Sequence, residues 1–248
     1  MRWLAALFLL VTAAPALAFE CGRVEFEGED FTACRADPAM IELRLFLNDP
    51  ESGKPLGSFT NLEALVEAEG RKLLFAMNAG MYHRDRSPVG HYVENGAEAR
   101  PVITSDGPGN FGLLPNGVFC IGDGWARVYE TTRFVAAKPA CRHATQSGPM
   151  LVIDGKLHPR FKKTSDSLFV RNGVGTSENG RTVWFAISEE PVNFHLFARL
   201  FRDKLGNPQA LYFDGNISRV YVPELGRHDG GFPMGPMVGA IALPGKGG

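Results

Sequence analysis

Short apolar runs broken by turn residues dominate the chain and read mostly as strands. Ile41 to Leu47 alternates apolar positions with Glu42 and Arg44, the pattern of a half-buried strand. Leu73 to Met77 is continuously apolar, as expected of a buried strand, and leads straight into Asn78-Ala79-Gly80-Met81-Tyr82. Met150 to Ile153 and the segment from Leu157 flank Asp154-Gly155, a hairpin signature. Asn179-Gly180 precedes the strongest strand, Thr182 to Ile187, and predicts a second hairpin with the region from Ser167 to Arg171. The run Ala210-Leu211-Tyr212-Phe213 stops abruptly at Asp214-Gly215.

Two segments carry the helical period instead. Thr60-Asn61-Leu62-Glu63 is a capping box and predicts a helix that ends near Gly70. Asn193 caps a second helix, whose apolar stripe is Phe194, Phe197, Leu200, Phe201 and Leu205, and Gly206 ends it. That stripe reads as core packing rather than as an aromatic ligand box. Strand, helix and strand follow one another over residues 182–214, and the rest is hairpin-like. The expected fold is therefore α+β, a single domain with a mixed, largely antiparallel sheet and a few packed helices.

The N-terminus changes the picture by giving an address. Arg2 is followed by an apolar stretch from Trp3 to Ala13, too short to span a bilayer, and Ala16-Leu17-Ala18 matches a small-x-small cleavage site. Residues 1–18 read as a signal peptide and 19–248 as the mature domain, periplasmic or secreted. No later segment is long and apolar enough for stable membrane insertion. The 26 Lys and Arg are balanced by 27 Asp and Glu and interspersed with them, which excludes the clustered positive charge of a nucleic-acid footprint. Oligomeric state has no signature here.

Cys21, Cys34, Cys120 and Cys141 all follow the leader, and an even count in an exported chain points to two disulfides. Three pairings exist, and proximity favours Cys21 with Cys34 and Cys120 with Cys141. Zinc is a weak rival because no close C-x-x-C pair occurs. A free buried thiol stays open, above all at Cys120.

Familiar cofactor and nucleophile motifs fit poorly. Gly107-Pro108-Gly109-Asn110-Phe111-Gly112 spells a G-x-G-x-x-G, but it contains proline and opens no helix. No P-loop is present, and Ser147 sits in Gln146-Ser147-Gly148-Pro149 rather than in a nucleophile elbow. His83 and His91 lack zincin spacing and read as surface or cleft residues. What remains is a set of polar residues at strand ends: Asn78, Ser147-Gly148, Arg171-Asn172, Ser188-Glu189 and Asp214-Gly215. Each alone is more often a turn than a site, and Asp-Gly is itself a common turn dipeptide. Together they read as strand ends converging on one cleft. Arg171 adds chemistry, because a guanidinium binds phosphate oxygens bidentately.

Five blocks carry a family resemblance: Asn78-Ala79-Gly80-Met81-Tyr82, Leu114 to Phe119, Gln146 to Leu151, Arg171-Asn172-Gly173-Val174-Gly175, and Phe185 through Ser218. The chain resembles the phosphodiester glycosidase family, an uncovering-enzyme-like N-acetylglucosamine-1-phosphodiester alpha-N-acetylglucosaminidase domain, in its bacterial periplasmic branch. The family's last strand ends in a sequence like D-G-G-G-S-S, whereas here it is Asp214-Gly215-Asn216-Ile217-Ser218. The resemblance implies an exported hydrolase that cleaves a sugar-1-phosphodiester in envelope glycan metabolism, with a glycan phosphodiester as its partner.

Under that resemblance Asp214 and Arg171 are the catalytic candidates. Asp214 would stabilise an oxocarbenium-like transition state, activate water or act as nucleophile, and Arg171 would hold the phosphate with the Gly148 amide. Asn78, Gly80, Ser147, Asn172, Gly215 and Ser218 are substrate-binding candidates. Glu189 is either a second carboxylate or a cap for the helix at Asn193. No cofactor is compelled, and a divalent cation at Asp214 is the one candidate. The alternative function is a non-catalytic periplasmic binding protein for phosphorylated glycans, using the same cleft.

Overall fold

The computed structural model describes residues 18–244. The leader read from residues 1–18 therefore lies, but for Ala18, outside the described residues. Among the described residues, 17 strands form three sheets, and three α-helices accompany them.

The seven-stranded sheet runs in the order Phe19–Phe26, Glu29–Ala36, Val183–Ser188, Asn172–Thr176, Gln209–Asp214, Met150–Ile153 and Lys156–Leu157. A second sheet of five strands has Arg227–His228, Val220–Val222, Leu73–Asn78, Met237–Ile241 and Glu42–Phe46 in order. The third sheet, also of five strands, has Ala97–Arg100, Tyr92–Glu94, His143–Ser147, Gly117–Gly122 and Trp125–Glu130. Among the described residues, every strand pairing is antiparallel.

The inner faces of the three sheets share one core. It contains Leu43 and Leu45, Phe75 and Met77, Phe119 and Ile121, and Phe185, Ile187, Leu211 and Phe213. Each sheet is closed on its other face by one helix. Phe59–Ala68 covers the second sheet with Phe59, Leu62 and Val66. Phe134 of Thr131–Ala137 packs on Val118 and Cys120 of the third. Phe194–Arg199, continued by a π-helical turn at Leu200–Lys204, covers the seven-stranded sheet. The apolar stripe is core, as expected: Phe197, Leu200 and Phe201 are fully buried.

The bare backbone of Gly173 and Gly175 makes room for that helix. A Cβ at Gly175 would lie 2.7 Å from the Phe201 ring, and one at Gly173 would lie 3.4 Å from Phe197. The strand–helix–strand unit is real and its two strands run the same way. They do not pair, because Asn172–Thr176 lies between them and is antiparallel to both.

Two local expectations shift. The first helix begins two residues earlier than the capping box, with the Ser58 side chain accepting from the Asn61 amide. The hairpin across Asn179-Gly180 uses Asn172–Thr176, not Ser167 to Arg171, because Gly173 and Gly175 hide the strand from a hydrophobicity count. The Asp154-Gly155 hairpin and the Asn193 cap form as read. Both disulfides favoured by proximity are present, Cys21–Cys34 and Cys120–Cys141, and no cysteine is free among the described residues.

Each disulfide closes a short loop, so reduction of either is expected to destabilise the fold by about 2–4 kcal/mol. The drop should show as a lower urea midpoint in reductant, and an unchanged midpoint would contradict it.

Candidate active site

Asp214 ends its strand at a break in register. Gly173 faces Tyr212, but Asn172 faces Asp214, so Phe213 is the extra residue of a bulge. The carbonyl of Phe213 accepts a hydrogen bond from the Ser147 hydroxyl at 2.8 Å. The Asp214 amide donates to Asn172 Oδ1 at 3.2 Å, and Asn172 Nδ2 donates to the carbonyl and side-chain oxygens of Asn78 at 2.9 and 3.0 Å. Asn78 Oδ1 also accepts from the Arg219 amide at 2.9 Å. Ser218 closes the turn, its hydroxyl donating to the Asp214 carbonyl at 2.7 Å.

Asn78, Ser147 and Asn172 come from three different sheets and are all fully buried. They form a floor that aims Asp214. The direct sugar or phosphate contacts expected of Asn78 and Ser147 are not open to them, because both side chains are enclosed, the Ser147 hydroxyl bonding the Phe213 carbonyl and Asn78 Oδ1 accepting from Asn172 Nδ2 and the Arg219 amide. Gly148 is buried against Asn116, and Gly80 sits at φ 135 against Thr145.

The Asp214 carboxylate is held by the turn itself. Its Oδ1 accepts the amides of Gly215 at 2.6 Å and Asn216 at 3.0 Å. Burial pushes this carboxyl above the usual carboxylate range, while the amides of Asn216, Gly215 and Ile217 pull the other way. Neither Asn216 nor Ile217 is among the positive-φ residues, so the family's extra glycines are not needed to aim these amides.

Asp214 lines a cleft of about 490 Å³ together with Tyr82, His83, Asn110, Phe111, Phe169 and Tyr212. It is the only carboxylate in that lining. Tyr82 is half-buried, and its phenol is pushed up first by burial and then by the charge of Asp214. Phe169 is exposed at the rim. Among the described residues, no group of three His, Cys, Asp or Glu side chains is assembled that would hold a metal ion.

Two sequence candidates lie elsewhere. Glu189 neither lines the cleft nor caps the helix. It accepts from Thr32 Oγ1 at 2.7 Å and pairs with Arg227 at 2.6 Å, while Asn193 caps the helix itself. Arg171 is fully buried behind the cleft wall. Its Nε donates to the Val192 carbonyl at 2.7 Å and its Nη2 to the Ser167 carbonyl at 2.8 Å. The guanidinium carbon lies 3.6 Å from the centroid of the Phe194 ring. Direct bidentate capture of phosphate by Arg171 is therefore replaced by burial in an aromatic cage.

Sequence reasoning passed over Tyr212, Asn110, Phe111 and Phe169. Tyr212 carried no usable signal, because the bulge at Phe213 breaks the strand alternation between it and Asp214. The glycine-rich segment set aside as a cofactor loop supplies Pro108 to Phe111 as a wall of the cleft.

A family model described as phosphodiester glycosidase matches residues 71–233, more than half of the chain and all of the Asp214 turn. The chain belongs to the phosphodiester glycosidase family. A relative in Escherichia coli (strain K12), the uncharacterized protein YigE, is 31% identical over 218 residues, covering 87% of this chain and 84% of its own. Among solved structures, the zebrafish N-acetylglucosamine-1-phosphodiester alpha-N-acetylglucosaminidase catalytic domain, auto-inhibited by its pro-peptide, is similar with TM-score 0.62 and 14% identity. That match covers 93% of this chain and 85% of the zebrafish domain. A hypothetical protein from Synechocystis gives TM-score 0.61 and 13% identity over 91% of this chain and 62% of that one. These structural likenesses establish a shared fold. Family membership gives the broad chemistry, hydrolysis of a phosphodiester-linked sugar. The two disulfides fit a secreted or extracytoplasmic setting. Among the described residues, no helix is long and apolar enough to cross a membrane.

Gly215 carries no side chain because a Cβ there would lie 2.0 Å from the Tyr212 hydroxyl. Gly215→Ala is therefore expected to cost about 1–3 kcal/mol of stability by overpacking. Thermal unfolding would show it, and an unchanged midpoint would mean that the Tyr212 ring is free to move aside.

Proposed function

We propose that this chain hydrolyses a sugar-1-phosphodiester at the anomeric C–O bond, outside the cytoplasm, in envelope glycan metabolism. Water supplies OH to the anomeric carbon and gives its other proton to the departing phosphate or to solvent, the C–O bond breaks with its electron pair going to the phosphate oxygen, and the products are a free sugar and a phosphomonoester. The observation that carries this reading is Asp214, the lone carboxylate of the cleft, held by the amides of its own turn.

A lone carboxylate suits this leaving group. Ordinary glycosides need a second carboxyl as general acid, because an alkoxide leaves poorly. A phosphomonoester leaves as a stable anion, so acid assistance is dispensable. Glu189, the other carboxyl considered, is held away in its pair with Arg227. Asp214 is the group to stabilise positive charge at the anomeric carbon or to attack it. Tyr82, Phe111 and Phe169 offer aromatic faces to a sugar ring, and Asn110 and Asn216 offer amide groups to its hydroxyls.

The name of the zebrafish relative supports N-acetylglucosamine-1-phosphodiesters as the first substrates to try. Release of free sugar from a panel of sugar-1-phosphodiesters tests the proposal. Binding of the panel without turnover would instead support a non-catalytic receptor for phosphorylated glycans.

Asp214→Asn is expected to lower kcat by about 100-fold or more. Wild-type activity should fall on the acid side with an apparent pKa above that of an ordinary aspartate, since burial raises this group. An acid limb at or below the ordinary value would contradict the assignment. Stability should move the opposite way. A carboxyl that holds its proton more tightly when folded stabilises the native state at low pH, and this contribution is lost as pH rises through the raised value. Asp214→Asn should therefore unfold at an equal or higher temperature than wild type at neutral pH, with the gap closing as pH falls. A variant less stable at neutral pH than in acid, relative to wild type, would refute that sign.

A further inference from the structure

With Arg171 enclosed, a phosphate in the cleft needs a cation from another element. Arg86 and Arg219 meet at Tyr82, which lines the cleft together with Asp214. The Arg86 guanidinium carbon lies 5.6 Å from the centroid of the Tyr82 ring. Arg219 Nη1 donates to the Phe232 carbonyl at 2.6 Å, and the Tyr82 hydroxyl lies 3.5 Å from the next carbonyl oxygen, that of Pro233. Burial raises the Tyr82 phenol first and the charge of Asp214 raises it further, while Arg86 and Arg219 both lower it. The Asp214 carboxyl itself is governed by burial and the amides of its turn, with neither arginine among its main neighbours. Tyr82 is thus the cleft residue that separates one anion from two cations.

A solvated surface arginine is ordinary, but these two are held in place. Arg86 stands at φ 74, a backbone region that favours glycine, in a turn closed by its amide on the His83 carbonyl at 2.9 Å. Backbone strain of this kind collects at functional sites. Arg219 starts from the floor of the site, where its amide donates to Asn78 Oδ1. Its guanidinium then rests on bare backbone: a Cβ at Gly231 would lie 2.5 Å from Nη2, and a Cβ at Gly235 would lie 2.5 Å from the Tyr82 ring. Residues 231–235 are therefore a shelf that seats Arg219 and Tyr82 side by side. Among the described residues, neither arginine forms an ion pair. Asp85, next to Arg86 in the chain, accepts from the Ser87 amide at 3.0 Å and from its hydroxyl at 2.7 Å instead.

We propose that Arg86 and Arg219 hold the phosphate of the substrate from the Tyr82 side of the cleft, each through N–H donors of its guanidinium. The inference rests on the phosphodiester reading and names the cations that receive the leaving group. Guanidinium donors meet phosphate oxygens in charge-assisted, bidentate geometry. Negative charge gathers on the bridging oxygen as the anomeric C–O bond breaks, and the two cations stabilise it there. Asp214 faces the positive charge that develops on the anomeric carbon. The arginines transfer no proton, since a guanidinium stays protonated in proteins. Opposite charges thus serve opposite ends of one substrate, with Tyr82 between them.

Calorimetric titration of the purified chain with inorganic phosphate tests the subsite without turnover. Arg86→Asn places a residue that tolerates the left-handed turn, and Arg219→Gln removes the charge of the second arginine. Each is expected to weaken phosphate binding about tenfold, the size of a hydrogen bond to a charged group, and the double variant about 100-fold. Arg219→Lys should recover part of the glutamine variant's loss. Unchanged phosphate affinity in the folded double variant would overturn the proposal, as would a wild type that binds no phosphate. Phosphate binding that follows this pattern without hydrolysis of any sugar-1-phosphodiester would support the arginine pair while refuting the proposed reaction. Hydrolysis whose kcat/KM is the same in the double variant as in wild type would leave the reaction standing and refute the pair.

Discussion

The buried amide pair of Asn172 and Asn78 is the contact on which the arrangement of the site depends. Asn172 belongs to the seven-stranded sheet and Asn78 to the five-stranded sheet beside it, and neither side chain reaches solvent. Asn172 donates to Asn78 and accepts from the Asp214 amide, so one side chain fixes the spacing of two sheets and the start of the Asp214 turn. Ser147 adds the third sheet by bonding the carbonyl that the bulge at Phe213 leaves out of register. Thr145, two residues earlier, donates to the Ala79 carbonyl at 2.7 Å and ties the third sheet to the second. Buried polar groups are usually paired, and here such pairs cross every boundary between sheets, with Asn78 Nδ2 left over.

Beside that junction a carboxylate and a guanidinium are each buried with partners of their own, and neither feels the other's charge among its main neighbours. Asp214 is satisfied by amides of its own turn, and Arg171 by carbonyls and by the face of Phe194. Between them stands Tyr212. Keeping them apart raises the Asp214 carboxyl and lowers the Arg171 guanidinium, both chiefly through burial. The site is thus held in an unfavourable electrostatic state by packing on all sides, a common condition of functional clefts.

Much of the fold was legible because local chemistry and tertiary context agreed. The Phe194, Phe197 and Phe201 stripe had one use, and it is buried. The Asp154-Gly155 turn, the Asn193 cap and the near-neighbour cysteines rest on short-range geometry, which survives any packing. Asn172–Thr176 was harder, since its glycines weaken the apolar signal that normally marks a central strand. Those glycines are there for the helix above, a partner far along the chain. Glu189 followed the strand-end pattern as well as Asp214 did, yet Thr32 and Arg227 hold it elsewhere.

The sequence by itself determined that Asp214 ends a buried strand in an Asp-Gly turn and that Asn78, Ser147, Arg171 and Asn172 stand at strand ends, and it favoured, among three pairings, the neighbouring cysteines that do pair. These follow from hydrophobic runs, turn residues and loop length, which act over a few positions. Only the tertiary structure decided which polar residues reach the cleft and which lie beneath it. Asn78, Ser147 and Asn172 became floor, Arg171 went behind the wall, and the fully buried Tyr212 backs the cleft beside Asp214. The physical reason is that facing depends on a one-residue bulge at Phe213 and on helix and sheet partners distant in sequence.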